Sequence, residues 1–149
     1  MKGQISTELL IIIALVLLVF IPLLVLVYFK ANDANQQISS YQAELSVSRI
    51  ASLANSVGSL GTNTSVTTDV FVPPETVKFS CQPTGGGGEI VLQINTPEGP
   101  TDIVEIVKYP INSVTLADET IAGGWMKIKI TSVYEDGKAR IEISTDRVS

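Results

Sequence analysis

Residues 9–29, LLIIIALVLLVFIPLLVLVYF, decide the fold, because this run of 21 residues carries no charged side chain. As an α-helix it would be about 32 Å long, close to the ~30 Å hydrocarbon core of a bilayer. Pro22 is tolerable there, since neighbouring helices can absorb the lost hydrogen bond. Tyr28 and Lys30 close the run with an aromatic ring and a cation, as at a membrane interface. The run is too long for a cleaved secretory signal, so a retained membrane helix is predicted.

The helix is expected to continue beyond the membrane. Residues 31–57 contain no proline and no glycine, and apolar side chains recur there at spacings of three and four, with one five-residue step. The row consists of Ile38, Tyr41, Leu45, Ile50, Leu53, Val57 and Leu60. Gly58 and Gly61 are the expected stop signals. The prediction is one helix over residues 4–60, spanning the membrane at 9–29 and then forming an amphipathic rod. Its apolar row must pack on the chain's own head domain or on other copies.

After residue 60 the pattern changes to short β-type runs separated by the turn sequences PPE, GGGG, PEGP, PIN, AGG and EDG. The predicted strands are residues 65–72, 77–81, 89–95, 102–109, 113–116, 125–134 and 138–144. Short strands at such spacing are typical of a sandwich. The predicted fold class is therefore α+β: a long N-terminal hydrophobic helix followed by a small antiparallel β-sandwich (Ig-like) head at residues 61–149.

Alternation within the strands predicts which side chains face the core. In MKIKITSV, one face carries Met126, Ile128 and Ile130, and the other carries Lys127 and Lys129. The following EDG predicts a tight hairpin with Gly137 at positive φ. Trp125 is expected in the core or at its rim. Cys81 is expected to be a small buried residue.

Composition excludes several classes of function. The formal net charge is −5, and the lysines and arginines are scattered, which argues against nucleic acid binding. The chain has no histidine and one cysteine, which excludes an internal disulfide, the usual zinc sites and the His-dependent catalytic triads. The four glycines at 85–88 lack the lysine of a phosphate loop and predict a flexible hairpin loop.

No enzyme, cofactor or metal is therefore expected. The carboxylates Glu98, Asp102 and Glu105 do not have the spacing of a calcium loop and are interpreted as solvated charges. The residues present are compatible with a glycosidase that uses only two carboxylates. A head of about 90 residues leaves little room for its substrate cleft.

The N-terminus carries the most specific motif. Gly3-Gln4-Ile5-Ser6-Thr7-Glu8 directly precedes the apolar run. This arrangement resembles the class III signal peptide of archaeal type IV pilins, a short basic leader that ends in Gly, followed by Gln-x-Ser-x-Glu and a hydrophobic helix. Gln4, Ser6 and Glu8 match in register, whereas Ile12 stands where the pattern usually has Leu. The resemblance covers about the first 30 residues, and no motif extends it to the head.

The resemblance implies processing, partners and location. A prepilin peptidase would cut between Gly3 and Gln4 on the cytoplasmic side, removing a leader of residues 1–3. Glu8 would then be the fifth residue, and would meet the N-terminal amine of a neighbouring subunit. The implied partners are other copies in a homopolymeric filament, the peptidase, the pilus assembly platform and the membrane before assembly. The precursor would lie in the inner (cytoplasmic) membrane, and the mature chain in an extracellular cell-surface filament.

Physical chemistry gives Glu8 a reason to seek that amine. A carboxylate at the centre of a membrane helix costs ~2.5–3.5 kcal/mol on insertion scales, and less near the end. In a filament core without water it would need a cationic partner, because an unpaired buried charge is costly. That pair would fix the axial register between subunits. The alternative is that Glu8 is an acid in the first helical turn, favoured by the helix dipole by ~0.3–1 kcal/mol.

The expected function is that of a structural subunit of an archaeal type IV pilus-like surface filament that serves adhesion. The alternative is a non-polymerising, single-span anchored protein whose extracellular β domain binds a ligand or braces the envelope. Asn63-Thr64-Ser65 is the only N-x-[ST] sequon, so Asn63 is a possible N-glycosylation site of an extracellular glycoprotein.

Overall fold

The structure, a computed structural model, describes residues 2–117, 121 and 123–147, with the side chains of 2–5, 117, 146 and 147 left out. Helix α1 (Lys2–Leu60) is followed by seven strands. These are β1 (Ser65–Val72), β2 (Thr76–Thr84), β3 (Gly87–Thr96), β4 (Gly99–Val107), β5 (Val114–Ala117), β6 (Gly124–Glu135) and β7 (Lys138–Arg147). The chain divides into two compact units, Met1–Gln37 and Ile38–Ser149. The described residues of the first unit are the N-terminal part of helix α1, and the rest of the helix belongs to the second unit.

The second unit is the β-rich head. Its strands form two antiparallel sheets, one in the order β1-β6-β7 and one in the order β4-β3-β2-β5. The predicted α+β fold with a small antiparallel head is confirmed. Strand β1 has the predicted bounds, and the other strands differ from theirs by a few residues at their ends.

One core is shared by both sheets and by the last part of α1. The strands contribute Val70, Val72, Phe79, Cys81, Ile90, Leu92, Ile94, Val107, Met126, Ile128, Ile130, Ile141 and Ile143. The predicted alternation in β6 is confirmed, because Met126, Ile128 and Ile130 are buried while Lys127 and Lys129 are exposed. Burial of branched aliphatic side chains on facing sheets is the main stabilising term of such a head.

Two turns follow from their residues. Glu135 pairs with Lys138, and the two residues between them, Asp136 and Gly137, have φ of 51° and 78°. Positive φ at both positions is the requirement of a type I′ turn, so the predicted Gly137 hairpin is confirmed. The glycine run also forms a hairpin between β2 and β3, but only its first half is loop: residues 87 and 88 belong to β3.

The apolar row of helix α1 divides between two faces, which corrects the prediction of a single stripe. Ile50 and Val57 are buried against the sheets, whereas Ile38, Tyr41 and Leu45 are exposed. The five-residue step in the row is the cause, since five residues turn a helix by about 140°. The inward face is instead completed by small side chains. They are Ser39, Ala43, Ser46, Val47, Ala51 and Ala54.

Two side-chain hydrogen bonds fix the helix against the edge strands of the two sheets. The Oγ of Ser46 lies 2.6 Å from the carbonyl oxygen of Phe71 in β1, to which it donates. On the other side, Asn55 Oδ1 accepts from the backbone N–H of Lys108, just beyond β4, at 2.9 Å. Both bonds satisfy backbone groups that would otherwise lie unpaired along a sheet edge.

The helix ends at Leu60, followed by Gly61 at a φ of 98°, as in a left-handed C-terminal cap. Gly58 is therefore not the stop that the sequence suggested. It lies inside the helix beneath the ring of Tyr109, where a Cβ would come within 2.8 Å of the ring's Cγ and closer to two other ring carbons. Glycine at position 58 therefore allows the ring of Tyr109 to pack directly against the helix backbone.

Trp125 is not in the core. Its side chain is 58% exposed and packs edge-on against Phe71 of the neighbouring strand, with ring centroids 5.6 Å apart. The two residues are directly opposite in the β1–β6 register. Trp125 thus lies at the rim, which was one of the two predicted positions.

The Gly58→Ala variant should lower the free energy of unfolding by about 1–3 kcal/mol, because the added methyl group overpacks the contact with Tyr109. Elsewhere inside a helix this change stabilises by about 1 kcal/mol. Urea unfolding of the full chain in detergent micelles would measure the difference. In a Tyr109→Ala background the same change should regain its stabilising sign. A stabilising Gly58→Ala with Tyr109 intact would contradict the packing argument.

Candidate assembly site

The first unit exposes its apolar side chains on every face. The large hydrophobic residues between positions 9 and 29 are each 46–72% exposed in the single chain. A helix that is apolar all round belongs in a membrane or inside an assembly. By length and composition α1 can cross a membrane, which is consistent with the predicted transmembrane helix. It continues through Pro22 without ending.

The processing motif lies at the start of α1. The backbone of Gly3 and Gln4 is helical, while Met1 and the side chain of Gln4 lie outside the described residues. Ser6 and Glu8 are exposed. Cleavage between Gly3 and Gln4 stays a prediction. It would require local unwinding of the first turn, the part of a helix that is easiest to open because its N–H groups lack partners within the helix.

In the uncleaved chain, the position of Glu8 limits what the helix dipole can contribute. Helix α1 begins at Lys2 and its first turn contains no acidic residue, so Glu8 lies too far along to gain much from the dipole. Its carboxylate forms no ion pair with any side chain that the structure describes. An exposed carboxylate next to an apolar surface can accept a cation from another chain at little cost in rearrangement.

Asn63 lies in the turn that joins α1 to β1. Its φ is 64°, and its N–H donates to the carbonyl oxygen of Ser132 at 2.9 Å, while the side chain is exposed. Asparagine tolerates this left-handed conformation better than most residues. The side chain is accessible to a glycosyltransferase, and its glycosylation stays a prediction.

Cys81 is fully buried in β2, as predicted. Burial raises the pKa of its thiol to about 12, because the thiolate would lose its hydration. A buried thiol with so little thiolate at neutral pH is a poor nucleophile and a poor metal ligand. Cys81 is therefore a core residue and not a reactive site.

Several residues that hold the head together were missed by the sequence analysis. Ser46 and Asn55 carry the bonds between helix and sheets. Asn112 fixes the segment after β4 along β7: its Nδ2 donates to Ile143 O at 3.1 Å, and its Oδ1 accepts from Ile143 N at 2.7 Å. A polar residue inside an otherwise small or apolar face, as at Ser46, is the only sequence signal for such bonds.

Comparison of the chain with protein-family models, with curated proteins and with solved structures finds no match.

Cys81 should resist alkylation by iodoacetamide in the folded chain at pH 8 and still at pH 10. Because its folded pKa is about 12, little thiolate is present at either pH, whereas an ordinary thiol ionises near pH 9. Unfolding in guanidinium should make it react fully. Mass spectrometry of the alkylated chain measures both states, and rapid labelling of the folded protein at pH 8 would refute this assignment.

Proposed function

We propose that this chain is the structural subunit of an archaeal type IV pilus-like surface filament, assembled through its hydrophobic N-terminal helix. The observation that supports the proposal most is the motif Gly3-Gln4-x-Ser6-x-Glu8 directly ahead of a helix whose apolar side chains are exposed on all faces. The motif would be the recognition site for the peptidase, and the helix would be the surface through which copies pack. Adhesion of cells to surfaces is the role that such a fibre would serve.

The proposed mechanism is transfer of helices between two apolar environments. Before assembly, residues 9–29 lie among lipid tails; in the filament they lie among the same segments of other copies. The hydrophobic term changes little in that transfer, so van der Waals packing and polar contacts decide the association. This favours a filament whose geometry is set by a few specific polar groups.

Glu8 is the polar group proposed to set the register along the fibre. Cleavage after Gly3 would free the amine of Gln4, and this cation would pair with the Glu8 carboxylate of a neighbouring copy. The pair would be formed only at one axial offset, whereas apolar contacts tolerate sliding by several ångströms. Removal of one partner of a buried pair costs about 3–5 kcal/mol, which makes a wrong offset unfavourable.

A non-polymerising anchored protein would share the helix and the head, but would give no fibres. Mechanical shearing of cells followed by electron microscopy of the supernatant distinguishes the two functions. Fibres that contain this chain support the filament, and full retention of the chain in the membrane supports the anchor.

The mature protein purified from its own cells should begin at Gln4. Terminal sequencing by mass spectrometry would measure this directly. An N-terminus at Met1 in protein taken from the cell surface would contradict the proposal, because the amine that Glu8 requires would then not exist at that position.

The Glu8→Ala variant should insert and be cleaved normally, yet form at least tenfold fewer fibres. A loss of about 1.4 kcal/mol per subunit contact already changes association tenfold. Fibre number and length in sheared supernatants give the result, with Glu142→Ala on the exposed face of β7 as the matched control. Fibres of normal number and length in the Glu8→Ala variant would refute the proposed role of Glu8 in setting the register.

A further inference from the structure

The outer face of α1 within the head unit carries large apolar residues that remain exposed to solvent. Ile38, Tyr41 and Leu45 are 52%, 64% and 70% exposed, and follow one another at spacings of three and four along one face. We call these three residues the outer ridge. Side chains of this size in this row are typical of a helix face that packs against another protein surface.

One side of the ridge borders an apolar hollow. This hollow, about 450 Å³ in volume and here called the aromatic hollow, is lined by Gln42, Leu45, Ser46, Arg49, Val70, Phe71 and Trp125. Trp125 packs edge-on against Phe71, and Leu45 also lines the hollow. Arg49 stands exposed at the rim and forms no ion pair with a described side chain. The aromatic hollow is therefore apolar with a free positive charge.

The other side of the ridge borders a second hollow of opposite charge. This acidic hollow, about 380 Å³ in volume, is lined by Tyr41, Glu44, Leu45, Ser48 and Glu105. Glu105 belongs to edge strand β4, where it lies directly opposite Ile90 of β3 and is partly buried. Neither carboxylate forms an ion pair with a side chain that the structure describes. Leu45 is a wall of both hollows.

The two hollows are complementary to each other and not to themselves. A two-fold contact through the aromatic hollow would bring Arg49 against Arg49, and one through the acidic hollow would bring carboxylates together. Contact between the aromatic hollow of one copy and the acidic hollow of the next pairs Arg49 with Glu44 and Glu105. Such a contact is heterologous, so a pair of copies keeps one free hollow of each kind and the contact repeats from copy to copy.

We propose that the head units of neighbouring copies pack side by side, so that the surface around the aromatic hollow of one copy contacts the surface around the acidic hollow of the next. The occupant is thus a second copy of this chain. This inference rests on the proposed filament for its setting, but it concerns a head-to-head contact that the N-terminal motif does not describe. Charged pairs at the rim orient the contact, and burial of Leu45 and Trp125 supplies the apolar area.

Cysteine cross-linking tests the contact directly. Full chains carrying Arg49→Cys are co-expressed with full chains carrying Glu44→Cys and a mass tag, and intact cells are oxidised with copper phenanthroline. The expected product is a mixed disulfide dimer, since native Cys81 is buried and does not compete. Cells with either variant alone should yield at least tenfold less dimer. Equal dimer yield from single and mixed variants would overturn the heterologous pairing.

Charge exchange gives an independent readout. Arg49→Glu should reduce fibre number at least tenfold, and the double variant Arg49→Glu with Glu105→Arg should recover most of it by reversing both charges. Lys138→Glu, the same charge change on the exposed β6–β7 hairpin, is the control and should leave fibres normal. Failure of the double variant to recover, with Arg49→Glu still folded by circular dichroism, would contradict the pairing.

Trp125 is the only tryptophan of the chain, so its fluorescence reports on the aromatic hollow alone. Emission should shift to shorter wavelength, and acrylamide quenching should fall severalfold, on passing from chains in detergent to assembled fibres. A shift caused instead by soluble dextran, without cross-linking between copies, would overturn the proposal in favour of a carbohydrate site on Trp125.

The outcomes separate this inference from the filament itself. If fibres form but the mixed disulfide does not, the head contact is refuted and the filament function stands. If the mixed disulfide forms in cells that shed no fibres, the head contact is supported and the filament function is refuted. Absence of both would overturn both.

Discussion

The close approach of helix α1 to the edges of the two sheets is the constraint on which the head depends. The helix can lie there only because its inner face is made of small side chains, with Ala43 and Ala54 fully buried and Gly58 directly beneath an aromatic ring. Ser46 and Asn55 then reach backbone groups on opposite sides of the helix. Without this segment, the core between the sheets would be open to water along one side, and two sheet edges would be unprotected.

That use of small residues has a consequence for the rest of the helix. Since the inner face is taken by alanines and serines, the larger side chains of Ile38, Tyr41 and Leu45 face outward. The first unit has the same property in a stronger form, because residues 9–29 are apolar on every side. Each unit, considered by itself, therefore exposes apolar surface that the chain does not cover. A lipid bilayer can cover the first, but a partner surface suits the second better.

Charged side chains can fix the relative position of two copies, which apolar surfaces alone cannot do. Burial of hydrophobic area is nondirectional, so it gives affinity without fixing an offset between copies. Glu8 beside the apolar helix, and Arg49 and Glu105 on either side of the outer ridge, are placed where an ion pair with another copy would select one arrangement. The proposed filament thus has the same logic at two levels: apolar contact for association, and a few charges for register.

By itself, the sequence determined the helix, the strands and the candidate motif. A charge-free run, two-residue alternation in β6 and a turn such as Asp136-Gly137 are local properties, and local patterns predict local structure. The tertiary structure alone decided which face of α1 is buried, why Gly58 is a glycine, and that Trp125 stands at the rim. It also brought Glu105 beside Glu44, and Arg49 beside Trp125, although each pair is far apart along the chain. These outcomes depend on how much room the sheets leave for the helix, which is a property of packing between distant segments and not of any one of them.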